Sequence, residues 1–518
     1  MKTFANLPYE CILEIFLHFE DNYSTLYKCL VVCQLWCKLV VPILWRRPFP
    51  RWRSSFQRVK NNWNSLNRTY IAALNEDEKE ILHPFDKRFN FPRPFFQYTS
   101  YLEKFSFTNI AEIIMNGWKM RNKQIDLFQN KHVKRLRRIM TAILQLVLRT
   151  SRLVEIEMFD YYSIWQDRPF FCDVLNVIPF FSYQLGLSKL RNLTIHFESS
   201  TYYKELLRNL SKSCINLQRL EYKIKRYTDT EIMDTLADII TAQSNLEEFW
   251  IDVPDIVDDT VHVQERFMNR LYSQKESLTS LSLHYIDFTS INPNRIAEYT
   301  KLETMEICNC YGATKDSYQV FLQSPVQLKS LTFDTNYFED TFLAGLIEKA
   351  GKNLMNLYTD EVSEKIIMSL SQFCPNISKF TLLYKGKNCS MVMNYLKGSM
   401  ISQLAIKSRC NSNKLLSVLG KYVPSSLEKI YFYCDFEAVY LGKFLKHVSY
   451  LEFDSLKTLY IEDIMGRSYN YLNVINGCTT YSFLKIVVIA STIDIDESSY
   501  VVQDIRKKGI KLFYKYLS

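Results

Sequence analysis

Cysteines are the residues of this chain best equipped for chemistry, because a thiolate is both a nucleophile and a metal ligand. The chain carries 13 of them in 518 residues. Cys29, Cys33 and Cys37 are expected to share one helix face at steps of four, and Cys308 and Cys310 form a second close group. A structural zinc site needs four ligands, and neither group has the missing ones nearby in sequence. The spacing therefore favours core packing, and we expect neither a metal nor a cofactor.

Patterns that serve catalysis do not occur in the sequence. It contains no P-loop, no GxSxG, no HExxH and no dinucleotide fingerprint, and its seven histidines are dispersed. The acidic run at residues 492–497 lacks the glycine and the spacing of a calcium loop. The sequence therefore predicts a binding protein and not an enzyme.

Composition indicates a folded chain of more than one domain. A hydrophobic content of 47% with 12 glycines and 14 prolines excludes a largely disordered protein. No apolar run reaches the ~18 residues of a membrane span. Glu10, Glu14 and Glu20 stand where a signal peptide would need apolar residues, so we expect a cytoplasmic or nuclear protein with reduced cysteines.

The first 48 residues predict three short helices. Ile12, Ile15 and Phe16 recur at helical spacing after Pro8, which suits the first turn of a helix. Two further apolar stripes follow, and Pro42 is expected to end the third helix. A module this small buries little surface by itself. Its apolar faces are therefore predicted to continue into an interface with another protein.

Three features of this module, in this order, resemble the F-box motif: a Leu-Pro-x-Glu start at residue 7, a Val-Cys-x-x-Trp run at residue 32 and a Leu-Trp end at residue 44. In that family the motif docks on a Skp-type adaptor, which connects to the cullin and RING subunits of an SCF-type ubiquitin ligase. By position, the resemblance implies these adaptor contacts: Leu7, Pro8, Glu10, Ile15, Val32, Cys33 and Trp36. The alternative is a plain three-helix cap whose apolar residues only form a core.

Positive charge is concentrated near the N-terminus. Residues 1–150 hold 24 Lys and Arg against 12 Asp and Glu, whereas the remaining residues hold 40 against 43. Such an asymmetry is typical of proteins that bind an acidic partner or nucleic acid.

Residues 49–100 are interpreted as a helical and irregular bridge. Arg51 and Arg53 alternate with Trp52 and Phe56, a mixture that also occurs on nucleic-acid-binding surfaces. No glycine-rich or RNP-like pattern accompanies it, which favours a packed helix with solvated arginines. The acidic stretch at residues 75–80 is interpreted as a solvated turn or helix start.

A second basic stretch covers residues 119–138 and precedes an apolar stripe from Ile139 to Leu148. It fits a nuclear localisation patch or a site for an acidic partner. The solvated outer face of a helix is the interpretation that we favour.

A leucine-rich pattern repeats from residue 101 onward, with apolar residues at offsets zero, three and five. Its starting residues are Leu102, Leu153, Leu190, Leu217, Leu246, Leu278, Leu302, Leu328, Leu354, Ile377, Ile401, Leu427, Leu456 and Leu484. From Leu190 the starts lie 23 to 32 residues apart, close to the period of leucine-rich repeats. Segments between them, such as 230–240 and 340–350, have helical spacing, with Gly351 as a C-cap. They resemble the cysteine-containing repeats that often follow an F-box.

The predicted fold class is α/β: a three-helix F-box at 1–48, the bridge at 49–100 and a leucine-rich-repeat solenoid at 101–518. In such a solenoid parallel strands line the concave side and helices the convex side. Side chains alternate along a strand, so residues between the apolar positions face the concave side. The residues predicted to contact a target there are Arg219, Glu221, Glu248, Trp250, His284, Tyr358, Tyr431, Tyr433 and Tyr460.

These observations predict the substrate-recognition subunit of an SCF-type E3 ubiquitin ligase. The F-box would bind a Skp-type adaptor and the repeats a target protein that the sequence does not identify. One alternative is a leucine-rich-repeat scaffold or regulatory binding protein that works outside any ligase. Another is nucleic-acid binding through residues 45–60 and 119–138, which we do not favour.

Overall fold

The computed structural model forms two compact units, Met1–Ser277 and Leu278–Ser518. The residues it describes are 7–48, 68–80, 92–107, 130–159, 187, 189–199, 204–226, 230–253, 261–290, 295, 298–312, 327–360, 362–385, 389–408, 411–450, 455–477, 483–493 and 495–516. The predictions made for Arg51, Trp52, Arg53 and Phe56, and for residues 119–129, lie outside these ranges.

Three helices open the first unit: α1 (Tyr9–Leu17), α2 (Tyr23–Cys29) and α3 (Gln34–Arg46). They close around a small core of buried apolar residues: Ile12, Phe16, Leu26, Leu39, Val40, Ile43 and Leu44. Asn22 caps α2, because its side chain accepts a hydrogen bond from the Thr25 N–H at 3.1 Å. The three predicted helices are therefore present and share one core.

Two expectations about this module are wrong. Pro42 lies inside α3 and does not end it. Ile43 and Leu44, which follow it in the helix, are buried. Their burial offsets the free-energy cost of the backbone hydrogen bond that proline cannot make. The three cysteines do not share a helix face, because Cys33 has an extended backbone (φ −162°, ψ 168°) between α2 and α3.

The first unit continues with parallel strands, each paired with the next in chain order. They are β1 (Lys104–Ser106), β2 (Glu155–Phe159), β3 (Asn192–Ser199), β4 (Arg219–Arg226) and β5 (Glu248–Asp252). Its further helices are α4 (Glu76–Glu80), α5 (Asn130–Thr150), α6 (Lys204–Ser213), α7 (Thr230–Thr241) and α8 (Val261–Leu271), with 3-10 turns at Tyr98–Tyr101 and Tyr272–Gln274.

The second unit repeats the same alternation, and its strands are again parallel and sequential. They are β6 (Ser280–His284), β7 (Thr304–Cys308), β8 (Ser330–Asp334), β9 (Asn356–Thr359), β10 (Lys379–Leu383), β11 (Gln403–Lys407), β12 (Lys429–Tyr433), β13 (Thr458–Asp463), β14 (Ile486–Ser491) and β15 (Lys511–Tyr516). Its helices are α9 (Asp340–Ala350), α10 (Glu364–Phe373), α11 (Cys389–Gly398), α12 (Asn413–Leu419), α13 (Ala438–Tyr450), α14 (Ser468–Gly477) and α15 (Tyr500–Lys507), with 3-10 turns at Phe288–Ser290 and Gly351–Asn353.

The repeated apolar pattern explains this architecture. Every one of its residues is at most 2% exposed, so each strand turns one face inward toward the helices. Gln243 ties neighbouring repeats together inside the first unit: its side chain accepts from the Leu217 N–H at 2.7 Å and donates to the Cys214 carbonyl at 2.6 Å. The predicted strand-and-helix repeat is confirmed. We call the side of the strands that the helices do not cover the free face.

One strand lacked the sequence pattern. In the register of β14 and β15, Val487 pairs with Leu512, which puts Gly509 at the first position of the motif. Gly509 has a φ of +82°, a conformation that favours glycine over a leucine. The last repeat therefore does not have the pattern of three apolar residues by which the other repeats are recognised.

The acidic stretch at residues 75–80 is not wholly solvated, which corrects the sequence interpretation. Glu78 is buried, and both of its carboxylate oxygens accept hydrogen bonds at 3.0 Å from Arg149 on α5. Asn75 and Glu78 also form a reciprocal cap at the start of α4, with both hydrogen bonds at 2.8 Å. The predicted apolar stripe from Ile139 to Leu148 lies in α5, and its apolar residues are buried.

None of the helices in the described ranges combines the length and the apolar character that crossing a bilayer requires.

Candidate functional site

The three leading helices leave a group of large apolar side chains in solvent. We call Leu7, Tyr9, Val31, Val32 and Leu35 the docking face; their exposed fractions are 39%, 54%, 85%, 58% and 44%. The core of the module is meanwhile closed by other residues. Several large apolar side chains left in solvent beside a closed core are typical of a protein that docks on a partner.

The residues predicted to contact an adaptor fall into two classes. The exposed ones are Leu7, Pro8, Glu10, Val32 and Cys33. Ile15 and Trp36 are half-buried, and the Trp36 ring packs edge-on against Phe16 with centroids 5.0 Å apart. Those two therefore support the core as well as any interface. Their contacts with an adaptor stay predictions.

Tyr9, Val31 and Leu35 belong to the docking face but were not selected from the sequence. Each of the three stands next to a motif residue in the sequence. Helical periodicity does not distinguish an exposed apolar residue at such a position from a core residue, so the sequence did not predict their exposure. Val31 lies in the turn between α2 and α3, which only the structure reveals.

The end of α3 joins this module to the first repeat. The Trp45 ring contacts Tyr98 with centroids 4.4 Å apart, and the Glu103 N–H donates to the Arg46 carbonyl at 3.1 Å. The Arg46 guanidinium also pairs with the Glu103 carboxylate at 3.4 Å. These contacts are made by the last residues of α3, whereas Leu35 of the docking face lies at its start. The docking face is therefore not part of this junction.

The free face of the first unit is a network of paired charges around two rings. Glu221 accepts a hydrogen bond from His196 at 2.8 Å and pairs with Arg219 at 3.1 Å. Arg219 also reaches Glu248 at 3.6 Å. Burial alone would raise the pKa of Glu221, but the adjacent imidazole and guanidinium outweigh it and hold that pKa below the usual value. The predicted contact residues Arg219, Glu221 and Glu248 are thus engaged with one another.

Trp250 is half-buried on the same face, which is where the sequence placed it. Its ring lies 5.9 Å from that of His196, and the Lys223 ammonium stands 5.4 Å from its centroid. Lys223 is also paired with Asp252. The ring is therefore covered in part by a cation of its own chain.

The free face of the second unit carries a cavity of about 770 Å³, which we call the tyrosine pocket. Its lining residues are Asp334, Thr335, Tyr358, Thr381, Leu383, Ala405, Lys407, Ser408, Tyr431, Tyr433 and Glu462. This volume is within the range of pockets that bind ligands or side chains, roughly 300–1,000 Å³. The pocket spans the strands from β8 to β13.

One wall of the tyrosine pocket is formed by Tyr431 and Tyr433, which belong to a cluster of three rings with Tyr460. The Tyr431 and Tyr433 rings are parallel, with centroids 6.3 Å apart, and Tyr460 leans on them with centroids at 5.8 and 5.2 Å. Burial, with smaller effects from Tyr433 and Glu462, raises the pKa of Tyr460 to about 12. Burial also raises the pKa of Tyr433. The Tyr433 and Tyr460 hydroxyls therefore stay protonated at neutral pH.

The opposite wall is Tyr358. Its hydroxyl donates to Asp334 at 3.0 Å, and the Lys407 ammonium stands 4.5 Å from its ring centroid. Between the walls, Thr381 and Ala405 occupy the register positions that link Tyr358 to Tyr431. Two small side chains therefore form the floor between aromatic walls.

The sequence identified the aromatic walls but not the rest of the pocket. Thr381, Ala405, Lys407 and Asp334 obey the same alternation as the tyrosines, so applying that rule to every strand would have found them. His284, also predicted to contact a target, lies on the free face of β6 with its Nε2 at 3.4 Å from Glu306.

Comparisons with known proteins give one family match. The model of the F-box-like family matches residues 4–51. No curated protein matches the chain in sequence. The leading helices are therefore an F-box-like domain, as the resemblance implied.

Among solved structures, the chain is similar to the leucine-rich repeat-containing protein LegL7 from Legionella pneumophila, with a TM-score of 0.29, 10% identity, and coverage of 61% of this chain and 90% of that one. It is also similar to a chain of the TLR13–ssRNA13 complex, with a TM-score of 0.21, 14% identity, and coverage of 80% of this chain and 54% of that one. At such TM-scores neither likeness adds to what the strands themselves show.

Proposed function

We propose that this protein is the substrate-recognition subunit of an SCF-type ubiquitin ligase. The observation that carries the proposal is the docking face: an F-box-like domain whose core is complete still presents Val31, Val32 and Leu35 to solvent, ahead of a repeat array with its own pocket. F-box domains generally bind Skp-type adaptors, which connect them to cullin and RING subunits.

In this proposal the chain has no catalytic step of its own. Ubiquitin passes from the cysteine of an E2 enzyme, activated by the RING subunit, to a lysine of the target. The chain contributes proximity, because holding the target near the charged E2 raises the effective concentration of that lysine. We further propose that it works in the cytosol or nucleus, where its thiols stay reduced.

The target is proposed to enter the tyrosine pocket. Aromatic walls over a floor of Thr381 and Ala405 leave room for one bulky side chain of a protein segment lying on the free face. Tyrosine dominates the energetics of many interfaces because its ring is large, rigid and able to hydrogen-bond. A planar target side chain, such as an aromatic ring or a guanidinium, would stack on these walls.

The first test is co-purification of the full chain with a Skp-type adaptor and its cullin–RING partners. We expect a stoichiometric complex with the unmodified chain and its loss in a Leu7→Ala/Pro8→Ala double variant. Absence of any complex with the unmodified chain would refute the proposal. Unchanged binding by the double variant would refute the assignment of these two contacts.

The second test separates the ligase from a scaffold that acts alone. Ala405→Trp fills the floor of the pocket from the free face, and Thr304→Trp on β7 is the matched control outside the pocket lining. Proteins that accumulate with the unmodified chain under proteasome inhibition should be lost with A405W and retained with T304W. If a chain lacking residues 1–48 keeps its full cellular role, the scaffold alternative is correct.

A further inference from the structure

The ends of β6 and β7 bring together three side chains of the kinds that bind metal ions. His284, Glu306 and Cys308 each offer one ligand atom, and these atoms lie within 4.8 Å of one another. In the register of the two strands His284 is opposite Cys308, and Ser282 is opposite Glu306. Parallel pairing therefore places the three on one side of the sheet, although 24 residues separate His284 from Cys308.

Two of the three separations between these atoms match those of a tetrahedral zinc site. The Glu306 Oε1 lies 3.4 Å from the His284 Nε2 and 3.6 Å from the Cys308 Sγ. Bond lengths of about 2.0–2.2 Å for nitrogen and oxygen and about 2.3 Å for sulfur place tetrahedral ligand atoms about 3.4 Å (N to O) and about 3.6 Å (S to O) apart. The third pair, the His284 Nε2 and the Cys308 Sγ, lies within 4.8 Å, so these two atoms would move closer together around a bound ion.

The surroundings hold the ligand atoms in position. Ser282 donates to the other carboxylate oxygen of Glu306 at 3.1 Å, which leaves Oε1 turned toward His284 and Cys308. Such outer hydrogen bonds orient ligands in known metal sites. Asp334 is the register partner of Cys308 on the next strand, and its negative charge also favours a cation. Cys308 and the Nε2 atom of His284 are buried, while the Glu306 side chain keeps partial exposure, which leaves an ion a route of entry beside that carboxylate.

Backbone geometry fixes the strand ends at this place. Tyr285 and Asn309, which follow His284 and Cys308, have φ values of 60° and 54°, in the left-handed region that non-glycine residues seldom adopt. The Tyr285 N–H donates to the Cys308 carbonyl at 3.0 Å, so the end of β6 is tied to the end of β7. The side chains of these two strand ends are therefore presented from a constrained backbone.

Cys310 is excluded as a fourth ligand. Its Sγ lies 3.3 Å from the carbonyl oxygens of both Leu283 and Cys308, inside the protein. The Cys-Asn-Cys sequence thus does not act as a zinc-binding pair, because its two thiols face different environments.

We propose that His284, Glu306 and Cys308 bind one zinc ion, with water as the fourth ligand. On binding, the Cys308 thiol releases its proton to solvent and the thiolate sulfur bonds to the metal, while neutral His284 donates through Nε2. The ion would cross-link the ends of β6 and β7. The site shares no residue with the adaptor contacts, but it borders the target surface, since Asp334 lines the tyrosine pocket and His284 is one of the predicted target contacts.

The test is metal binding by the full chain, purified metal-free under reducing conditions. Zinc is titrated against a chromophoric chelator, and cobalt(II) is used as a spectroscopic probe because a thiolate ligand gives it a charge-transfer absorption band. We expect one tightly bound zinc per chain and a thiolate–cobalt band. Both Cys308→Ser and His284→Gln should weaken zinc binding by more than ~100-fold, since even outer-sphere changes cost about 10–100-fold.

The matched control is Cys434→Ser, which alters another buried cysteine of the second unit. It should keep both the zinc stoichiometry and the cobalt band, and zinc should raise the Tm of this variant and of the unmodified chain but not that of C308S. The proposal is overturned if the unmodified chain binds no zinc, if C308S binds it equally well, or if C434S loses it. Circular dichroism of each variant establishes that it is folded.

Discussion

The docking face supports a quantitative prediction for the triple variant Val31→Ala/Val32→Ala/Leu35→Ala. These three side chains expose 85%, 58% and 44% of their surface, nearly the equivalent of two whole aliphatic side chains. Burying one such side chain completely contributes about 1.5–3 kcal/mol, so covering all three with an adaptor would contribute ~3–6 kcal/mol. Alanine removes two of the three side-chain carbons of each valine and three of the four of leucine, and therefore roughly two thirds of this contribution at about 0.8 kcal/mol per buried carbon.

The expected loss of binding free energy is therefore ~2–4 kcal/mol, which weakens the affinity for a Skp-type adaptor about 30-fold to 1,000-fold. Stability should change little, because these residues lie outside the core formed by Ile12, Phe16 and their neighbours, and exposed substitutions usually stay within about 0.5 kcal/mol. The two measurements together separate a lost contact from a lost fold.

The assay is titration of the purified full chain with the adaptor by calorimetry, with thermal unfolding measured in parallel. The matched control is Ile464→Ala/Met465→Ala in the second unit, where two neighbouring apolar side chains are 61% and 59% exposed. That variant should bind like the unmodified chain. The reasoning is refuted if the triple variant, with an unchanged Tm, binds within threefold of the unmodified chain.

Three further outcomes follow from the contacts. Arg149→Ala should destabilise the chain by about 2–4 kcal/mol in urea unfolding, because Glu78 would remain buried without its bidentate partner, and an unchanged midpoint would contradict that account. Glu221→Gln should lower the free energy of unfolding above pH 4.5, because His196 and Arg219 stabilise the ionised carboxylate of Glu221 there. The difference from the unmodified chain should disappear as the pH falls through the lowered folded-state pKa of Glu221, and a difference that grows in acid would contradict this assignment. Gly420→Ala should cost about 1–3 kcal/mol, since its methyl group would meet the Phe444 carbonyl oxygen at 2.6 Å, whereas Gly398→Ala meets nothing within 4 Å and should be neutral or stabilising.

Much of the fold could be predicted because burial follows the period of the secondary structure. Ile12 and Phe16 recur at helical spacing and are core residues of α1, and the residues at all three positions are buried in each of the 14 repeats that the sequence pattern predicted. The errors arose where one local rule competed with another. Proline usually ends a helix, but at Pro42 the packing of Ile43 and Leu44 stabilises its continuation. The acidic residues around Glu78 are typical of a solvated segment. The burial of Glu78 depends on Arg149, which lies 71 residues later in the chain.

The candidate binding surfaces were predicted less completely than the fold, for a different physical reason. Strand periodicity places Tyr358 and Tyr431 on the free face, but it does not reveal that Thr381 and Ala405 separate them. That arrangement depends on the register of four successive strands. The cluster around Glu306 is likewise a product of register, since His284 and Cys308 meet only when β6 and β7 pair in parallel.

Register also explains why small residues decide where the free face of the second unit forms a pocket. Neighbouring parallel strands lie about 4.8 Å apart, so Tyr358 and Tyr431, three strands apart, stand roughly 14 Å from each other across the sheet. Bulky residues at both intervening positions would fill that gap and join the rings into one flat surface. Thr381 and Ala405 keep this gap open, so the surface between the rings is a pocket and not a flat aromatic patch. Substitutions at these two unremarkable positions should therefore alter target choice more than the loss of any single tyrosine, because they change the shape of the pocket and not only one of its contacts.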